Sequence, residues 1–304
     1  MRPEVQKRVM QVIQELNYTP NRVAQNLRSN SSKIIALIVS DIENPFFQRV
    51  SRAVDDVAYE EGYSMILCNS DENPKKEQAY LNLLRDENVA GVILSATRKT
   101  VDYLSKLPAL LTPMVVIDRR VNELNVDNVV VDNIHSAYTL TSHLIEHGYS
   151  RFGGIFGVGS TTGQDRREGF LKALTEHNIK INDDLIKYAK PRVDDGFSTA
   201  MKLLRMKERP DAILTSNSLL AAGVLLAIRE CKLTIPGDIA FATFDDSPCA
   251  QLLEPAITVI EQPTYEIGQT ATKLLINRIR EPMRSNRETV LKTKLIIRQS
   301  CGCN

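Results

Sequence analysis

The chain of 304 residues contains no tryptophan, and aromatic residues make up only 6% of it. A site built on broad stacking planes, such as one for a nucleobase, is therefore disfavoured. No apolar run is long enough to cross a bilayer, and residues 1–30 hold no continuous apolar stretch of the kind that directs export. The five cysteines (Cys68, Cys231, Cys249, Cys301 and Cys303) are scattered and odd in number. That usage speaks against a disulfide framework and for free thiols in a reducing, cytoplasmic compartment. Catalytic signatures are missing too: there is no Gly-Lys-Ser/Thr phosphate loop and no Gly-x-Ser-x-Gly elbow. The glycine-rich stretch 157–163 lacks the Gly-x-Gly-x-x-Gly spacing and the strand-end acid of a dinucleotide site, and reads as a loop between a strand and a helix that starts near Gln164. No catalytic residue and no cofactor are expected.

What is present is an ordinary globular composition, 43% hydrophobic and 25% charged, with a formal net charge of +1. That figure hides an asymmetry. Residues 1–33 carry six basic residues (Arg2, Lys7, Arg8, Arg22, Arg28 and Lys33) against two acidic ones (Glu4 and Glu15), so a surplus of four positive charges sits at one end and the rest is net −3. Such a distribution fits an arm for a polyanion on a near-neutral body. In the arm, Val5, Val9, Val12, Ile13 and Leu16 recur at helical spacing, and Asn17-Tyr18-Thr19-Pro20 closes the pattern. Residues 20–28 are too few to hold a helix alone. Arg22 and Arg28 can meet phosphates, Asn21, Gln25 and Asn26 can hydrogen-bond groove edges, and Leu27 can wedge between base steps. Alone, this stretch reads as a linker. Its position between a basic helix and the buried strand KIIALIVS (33–40) favours nucleic acid.

From residue 34 onward, short apolar runs alternate with amphipathic stretches, which predicts parallel sheets wrapped by helices. Strands are expected at 34–40, 64–69, 90–95, 113–118, 129–131, 152–156, 211–215, 239–244 and 257–260. Nine or ten strands exceed one small wound domain, so two lobes are expected. Ligands of open parallel sheets sit beyond the strand C-termini. Those ends read Ser40-Asp41, Asn69-Ser70-Asp71, Asp118-Arg119, Ser216-Asn217 and Asp245-Asp246, with Gln262 after the last run. Carboxylates, amides and guanidinium groups each satisfy paired hydroxyls, which suits a polyhydroxylated ligand. Phe46 and Phe47 offer an apolar face for a sugar ring. Singly, each polar residue reads as a turn or helix cap, Asp71 and Ser218 above all. As a set converging on one cleft, they read as a ligand site.

His143 and His147 lie four apart, a spacing compatible with metal binding. No glutamate follows His143 and no third ligand is evident nearby, while Cys301-Gly302-Cys303 lacks the spacing of a zinc knuckle or a thioredoxin motif. His147-Gly148 fits a helix end instead. No metal site is expected.

The order of these features resembles the LacI/GalR family of repressors, with Tyr18, Pro20 and Asn21 leading into Val23-Ala24-x-x-Leu27 and then a sugar-binding-protein-like core. The resemblance runs to the last residues. It implies an α/β fold of two doubly wound parallel-sheet lobes, periplasmic-binding-protein-like, behind a partial helix-turn-helix headpiece and a hinge helix. The implied divisions are 1–32 for headpiece and hinge, 33–148 with 263–290 for one lobe, and 149–262 with 291–304 for the other. It places effector contacts at Arg166, three residues before Gly169-Phe170, and at Asn217 after "ILTS", where Ser218 replaces the family's aspartate. It adds Asp245 in a "GYDD"-like run in which Thr243 and Phe244 replace glycine and tyrosine, Gln262 at a crossover, and Asp118-Arg119 as a hydroxyl-binding pair. Arg167 is the adjacent alternative, with an ion pair to Glu168 or Asp165 as its bland role. The function implied is an effector-responsive repressor of carbohydrate metabolism. Its partners would be operator DNA, a sugar, sugar acid or sugar phosphate, and a second copy of the chain, with no membrane. The family's first two headpiece helices have no counterpart here, so DNA affinity is expected to be weakened or absent. A solute-binding protein without a DNA role is the alternative, opposed by the basic arm.

Overall fold

The computed structural model describes residues 3–15, 32–98, 100–104, 112–121 and 124–303. They belong to two units, Met1–Lys33 and Ile34–Asn304. In the first, helix α1 (Pro3–Glu15) opens on a proline, whose fixed φ and missing N–H suit a helix start. Val5 and Val12 of its apolar stripe are 49% and 44% exposed. The nucleic-acid candidates Asn21, Arg22, Ala24, Gln25, Leu27 and Arg28 lie outside the described residues.

The second unit begins with β1 (Ile34–Val39), α2 (Pro45–Glu60), β2 (Ser64–Asn69), α3 (Pro74–Asp86), β3 (Gly91–Leu94), α4 (Thr100–Leu104), β4 (Met114–Ile117) and β5 (Asp127–Val131). It continues with α5 (Asn133–Glu146), β6 (Phe152–Gly157), α6 (Thr161–Glu176), β7 (Ile186–Ala189), α7 (Val193–Leu204), β8 (Ala212–Thr215), α8 (Ser218–Glu230), β9 (Ala240–Phe244), α9 (Pro248–Leu252) and β10 (Thr258–Glu261). Helix α10 (Thr264–Arg280), β11 (Glu288–Leu291) and β12 (Lys294–Ile296) complete it.

The strands form two six-stranded sheets, ordered β11-β5-β4-β3-β1-β2 and β12-β10-β9-β8-β6-β7. Every pairing is parallel except β10 with β12. The two sheets therefore repeat one topology, in which β1 and β6, β3 and β8, and β4 and β9 are equivalent. Central strands such as β1, β3 and β4 are unbroken aliphatic runs because helices cover both their faces. In the first lobe α2 and α10 cover one face, while α3 and Leu104 cover the other. In the second lobe α7 and α8 cover one face, with α5 and α6 on the other.

The chain passes between lobes three times: between β5 and α5, between β10 and α10, and between β11 and β12. The first crossing corrects the sequence-derived division, which put it at 148. Helix α5 packs Ala137, Leu140 and Leu144 with Phe152, Phe156 and Phe170, so it belongs to the second lobe and the chain crosses at Asp132. Gly169 makes this packing possible. A methyl there would stand 2.0 Å from the Ile134 carbonyl oxygen, so only glycine lets α5 and α6 approach this closely.

A second correction concerns 157–163. Helix α6 starts at Thr161, not near Gln164, with the Ser160 hydroxyl accepting the Gly163 N–H at 3.1 Å as its cap. Strands β7, β11 and β12 were not anticipated. They are short edge strands with charged or exposed positions (Lys187, Tyr188, Glu288, Lys294), and they lack the apolar run that marks a central strand.

Candidate functional site

All eight residues expected to touch a ligand line one cavity of about 50 Å³ between the C-terminal edges of the two sheets: Phe46, Phe47, Asp118, Arg119, Arg166, Asn217, Asp245 and Gln262. Residues at or just after the ends of β1, β2 and β4 in one sheet and of β6, β7, β8, β9 and β10 in the other line it, the edge at which open α/β sheets hold their ligands.

Asp118 follows β4 and Asp245 follows β9, the equivalent strand of the other lobe. Both hold a left-handed backbone, φ 68° and 73°. For a residue other than glycine that conformation costs on the order of 1 kcal/mol, and aspartate tolerates it better than most. Such strain gathers at ligand clamps, and here it recurs symmetrically on the two sides of one cleft. Asp245 accepts hydrogen bonds from the Gln262 amide at 2.6 Å and from the Ser218 N–H at 3.3 Å. Gln262 stands at the second interlobe crossing, so this contact joins the cleft to a crossover.

Arg166, only 4% exposed, donates from Nε to Asn133 Oδ1 at 2.7 Å and from Nη1 to the Ser216 carbonyl, and lies 4.0 Å above the Phe244 ring. Burial pulls its pKa below the ordinary arginine range, against the opposing pull of Asp245 and Asp118. Phe244, in place of the family's tyrosine, still offers a ring face for that cation. Arg167 instead approaches Tyr188 at 5.9 Å and does not line the cavity, whereas Arg166 does.

Arg119 is already engaged. Its two terminal nitrogens donate to the Glu72 carboxylate and to the Ala96 carbonyl. Burial works against its charge, but Glu72, joined by Asp118 and Glu77, outweighs that and holds the pKa above the ordinary range. Asp118 has the opposite balance: burial raises its pKa in spite of Arg119 and Arg166. The Asp118 carboxylate lies 3.4 Å from Arg119 Nε. Phe46 and Phe47 meet edge to face at 4.9 Å and are almost wholly buried in the first-lobe core, so they wall the cavity rather than stand in it.

The capping role weighed for the strand ends is also real. Asn217 Oδ1 accepts the Leu220 N–H at 2.9 Å as the cap of α8, which leaves its amide N–H groups for the cleft. Asp71 pairs with Lys76 and Asn69 outside the cavity. Glu72, Asn133 and Thr162 were not expected. Glu72 and Thr162 line the cavity, and Asn133 orients Arg166. Asn133 had no sequence signal, because it begins a helix assigned to the other lobe.

The sequence shows no third ligand near His143 and His147. His143 and His147 do have neighbours of ligating type, since Cys301 and Cys303 come from the far end of the chain to join them, all four ligand atoms lying within 4.8 Å of one another.

A family model described as a periplasmic binding protein-like domain matches residues 141–301. A ribose operon repressor of Halalkalibacterium halodurans is 36% identical over 298 residues, covering 98% of this chain and 88% of that protein. The transcriptional repressor PurR of Pasteurella multocida is 33% identical, covering 98% of this chain and 90% of its own length. Among solved structures, a complex of the transcriptional regulator CelR with cellobiose superimposes with a TM-score of 0.79 at 27% identity, over 99% of this chain and 91% of that one.

Proposed function

The chain belongs to the LacI/GalR family of transcriptional regulators, and from that premise we propose that its cleft binds a small polyhydroxylated effector that controls repression. The carrying observation is that Asp118 and Arg119 of one lobe and Arg166, Asn217 and Asp245 of the other line a single cavity. Two acceptors facing each other across the cleft, with a buried guanidinium between their charges, match vicinal hydroxyls and an anionic substituent. A sugar, sugar acid or sugar phosphate fits this donor set. The repressor named for the ribose operon and the regulator solved with cellobiose support that class.

The cleft lies between two lobes joined by three crossings, so an effector that grips both lobes would set the angle between them, which makes lobe angle the allosteric variable. A change in that angle would alter how residues 20–28 engage operator DNA through Arg22, Arg28 and Leu27. The chain would act as a homodimer. Edge strand β2 supports this, because it ends the first sheet and leaves Ile66 and Leu67 41% and 38% exposed. No helix among the described residues is long and apolar enough to cross a membrane, in keeping with a cytoplasmic site of action.

The test is a thermal-shift screen against sugars, sugar acids, sugar phosphates and purines, followed by calorimetry on each hit. Binding of a hydroxylated compound that Arg166→Met and Asp245→Asn both abolish is the expected result. Binding of a purine alone, or of a sugar that ignores both substitutions, overturns the assignment.

A further inference from the structure

We propose that His143, His147, Cys301 and Cys303 form a four-ligand site for Zn²⁺, separate from the cleft. His143 lies in the last turn of α5 and His147, one turn on, is its C-cap, with ring centroids 4.6 Å apart. The two cysteines flank Gly302, whose φ of 92° is a left-handed turn. That turn brings both sulfurs to the same side. Glycine is needed there twice over, because an added methyl would also press on the Tyr149 hydroxyl at 3.0 Å.

The distances match a small tetrahedral ion. Zn–S bonds of about 2.3 Å and Zn–N bonds of about 2.0 Å give tetrahedron edges of roughly 3.3–3.8 Å. Four edges here are 3.2 Å (His143 Nε2 to Cys301 Sγ), 3.3 Å (Cys301 to Cys303), 3.8 Å (Cys303 to His143) and 3.0 Å (Cys303 to His147 Nε2). The remaining two are at most 4.8 Å. An ion at the centre would change the four short edges by about half an ångström and close the other two by at most about 1.5 Å. Two imidazoles and two thiolates, with no carboxylate in the set, favour zinc over magnesium, calcium or manganese. Four protein ligands leave no open position, so the site is structural.

The surroundings are those of a built site. Cys301 is fully buried, and the Thr258 hydroxyl, shared with the Arg298 carbonyl at 2.9 Å, lies 3.1 Å from its sulfur as an outer partner for a ligating thiolate. The preceding Ser300 anchors the segment, donating to the Phe241 carbonyl at 2.6 Å and accepting from the Thr258 N–H at 2.8 Å. His147 is exposed and gives the ion a way in. On binding, both thiols release their protons to the buffer and the two thiolates balance the charge of the ion. The ion would staple the C-terminal segment to α5, the helix whose first residue, Asn133, holds Arg166.

The test uses the chain purified under reducing conditions and stripped with a chelator. Titration with Co²⁺ is expected to give one equivalent of a tetrahedral site, seen as strong visible ligand-field bands with thiolate-to-cobalt charge transfer in the near ultraviolet. One equivalent of Zn²⁺ should bleach both, raise Tm and shield Cys301 and Cys303, but not Cys249, from alkylation. The variant combining Cys303→Ser with His147→Ala, two residues at the accessible edge of the cluster, should lose all of these responses, with circular dichroism reporting that it folds. Weak octahedral cobalt bands, uptake well below one equivalent, bands that survive in the double variant, or alkylation of Cys301 and Cys303 unaffected by Zn²⁺ would each overturn the proposal. None of these readouts depends on an effector, so the cleft assignment can fail independently.

Discussion

Replacing Asp118 with asparagine is expected to make the protein more stable and less able to bind. The Asp118 carboxylate lies 3.4 Å from Arg119 Nε. At an effective dielectric of about 20 that contact is worth about 5 kcal/mol, while removing a carboxylate from water costs several kcal/mol. The raised pKa shows which wins: burial outweighs Arg119 and Arg166, so the ionised form is disfavoured in the folded state. Each unit of elevation corresponds to about 1.4 kcal/mol. For an acid whose folded pKa lies above the ordinary value of 3.8, the folded state binds the proton more tightly. Stability is then full below that value and is lost as pH rises through the folded pKa. Asparagine removes the penalty, keeps the volume and tolerates φ of 68°. Arg119 is not orphaned, because Glu72 and the Ala96 carbonyl still hold it. For a body of this size each kcal/mol gained near Tm moves the midpoint by about 2–4 °C. Thermal unfolding of wild type and Asp118→Asn from pH 7 down to pH 4 should show a higher Tm for the variant at pH 7. The difference should close as wild type takes up its proton, and calorimetry should show effector affinity lost. A lower Tm at pH 7, or a gain that ignores pH, refutes the reasoning.

Three further substitutions separate structure from recognition. Gly169→Ala drives a methyl against the Ile134 carbonyl oxygen and should cost about 3 kcal/mol or more in urea unfolding; a near-neutral result would mean that α5 and α6 slide apart freely. Asp127→Ala strips a fully buried carboxylate that takes two hydrogen bonds from Arg278 and one from the Arg287 N–H, and should cost about 3–5 kcal/mol by the same assay. Asn133→Ala leaves Arg166 charged but unheld at Nε, and should weaken effector binding about 10- to 100-fold, as the loss of a hydrogen bond to a charged group implies. Unchanged effector affinity in Asn133→Ala would show that Arg166 is positioned by Phe244 and Ser216 alone.

The residues legible from the strand pattern alone share one property, that they follow central strands, whereas Arg166 on α6 came from the family resemblance. A parallel strand buried on both faces is an unbroken apolar run, so its end is easy to find, and the topology sends every such end to one edge. Asp118, Asn217 and Asp245 were recoverable for that reason. Asn133 and Glu72 were not. Asn133 looks like any residue at a helix start, and which sheet α5 covers depends on Gly169 and Phe170, more than thirty residues later. The quartet of His143, His147, Cys301 and Cys303 is separated by about half the chain, and Cys-x-Cys near a terminus resembles no ligand motif until β12 and Ser300 bring it back onto α5.

The same topology argues for how a ligand in the cleft would be felt elsewhere. Lobe motion must be absorbed at three crossings, and each lies beside a cleft residue or its support. Asp132 caps α5 at the first and precedes Asn133, which holds Arg166. Gln262 stands at the second and donates to Asp245. Thr293, between β11 and β12, meets the Ser136 hydroxyl of α5 at 2.8 Å at the third. A ligand bridging Asp118 to Asp245 and Arg166 would thus load two crossings directly and the third through α5. The coupling needs no relay through either core. With packed sheets on both sides, the crossings are where strain would be taken up, so on the proposed mechanism small shifts at these polar contacts would translate into rotation of whole lobes.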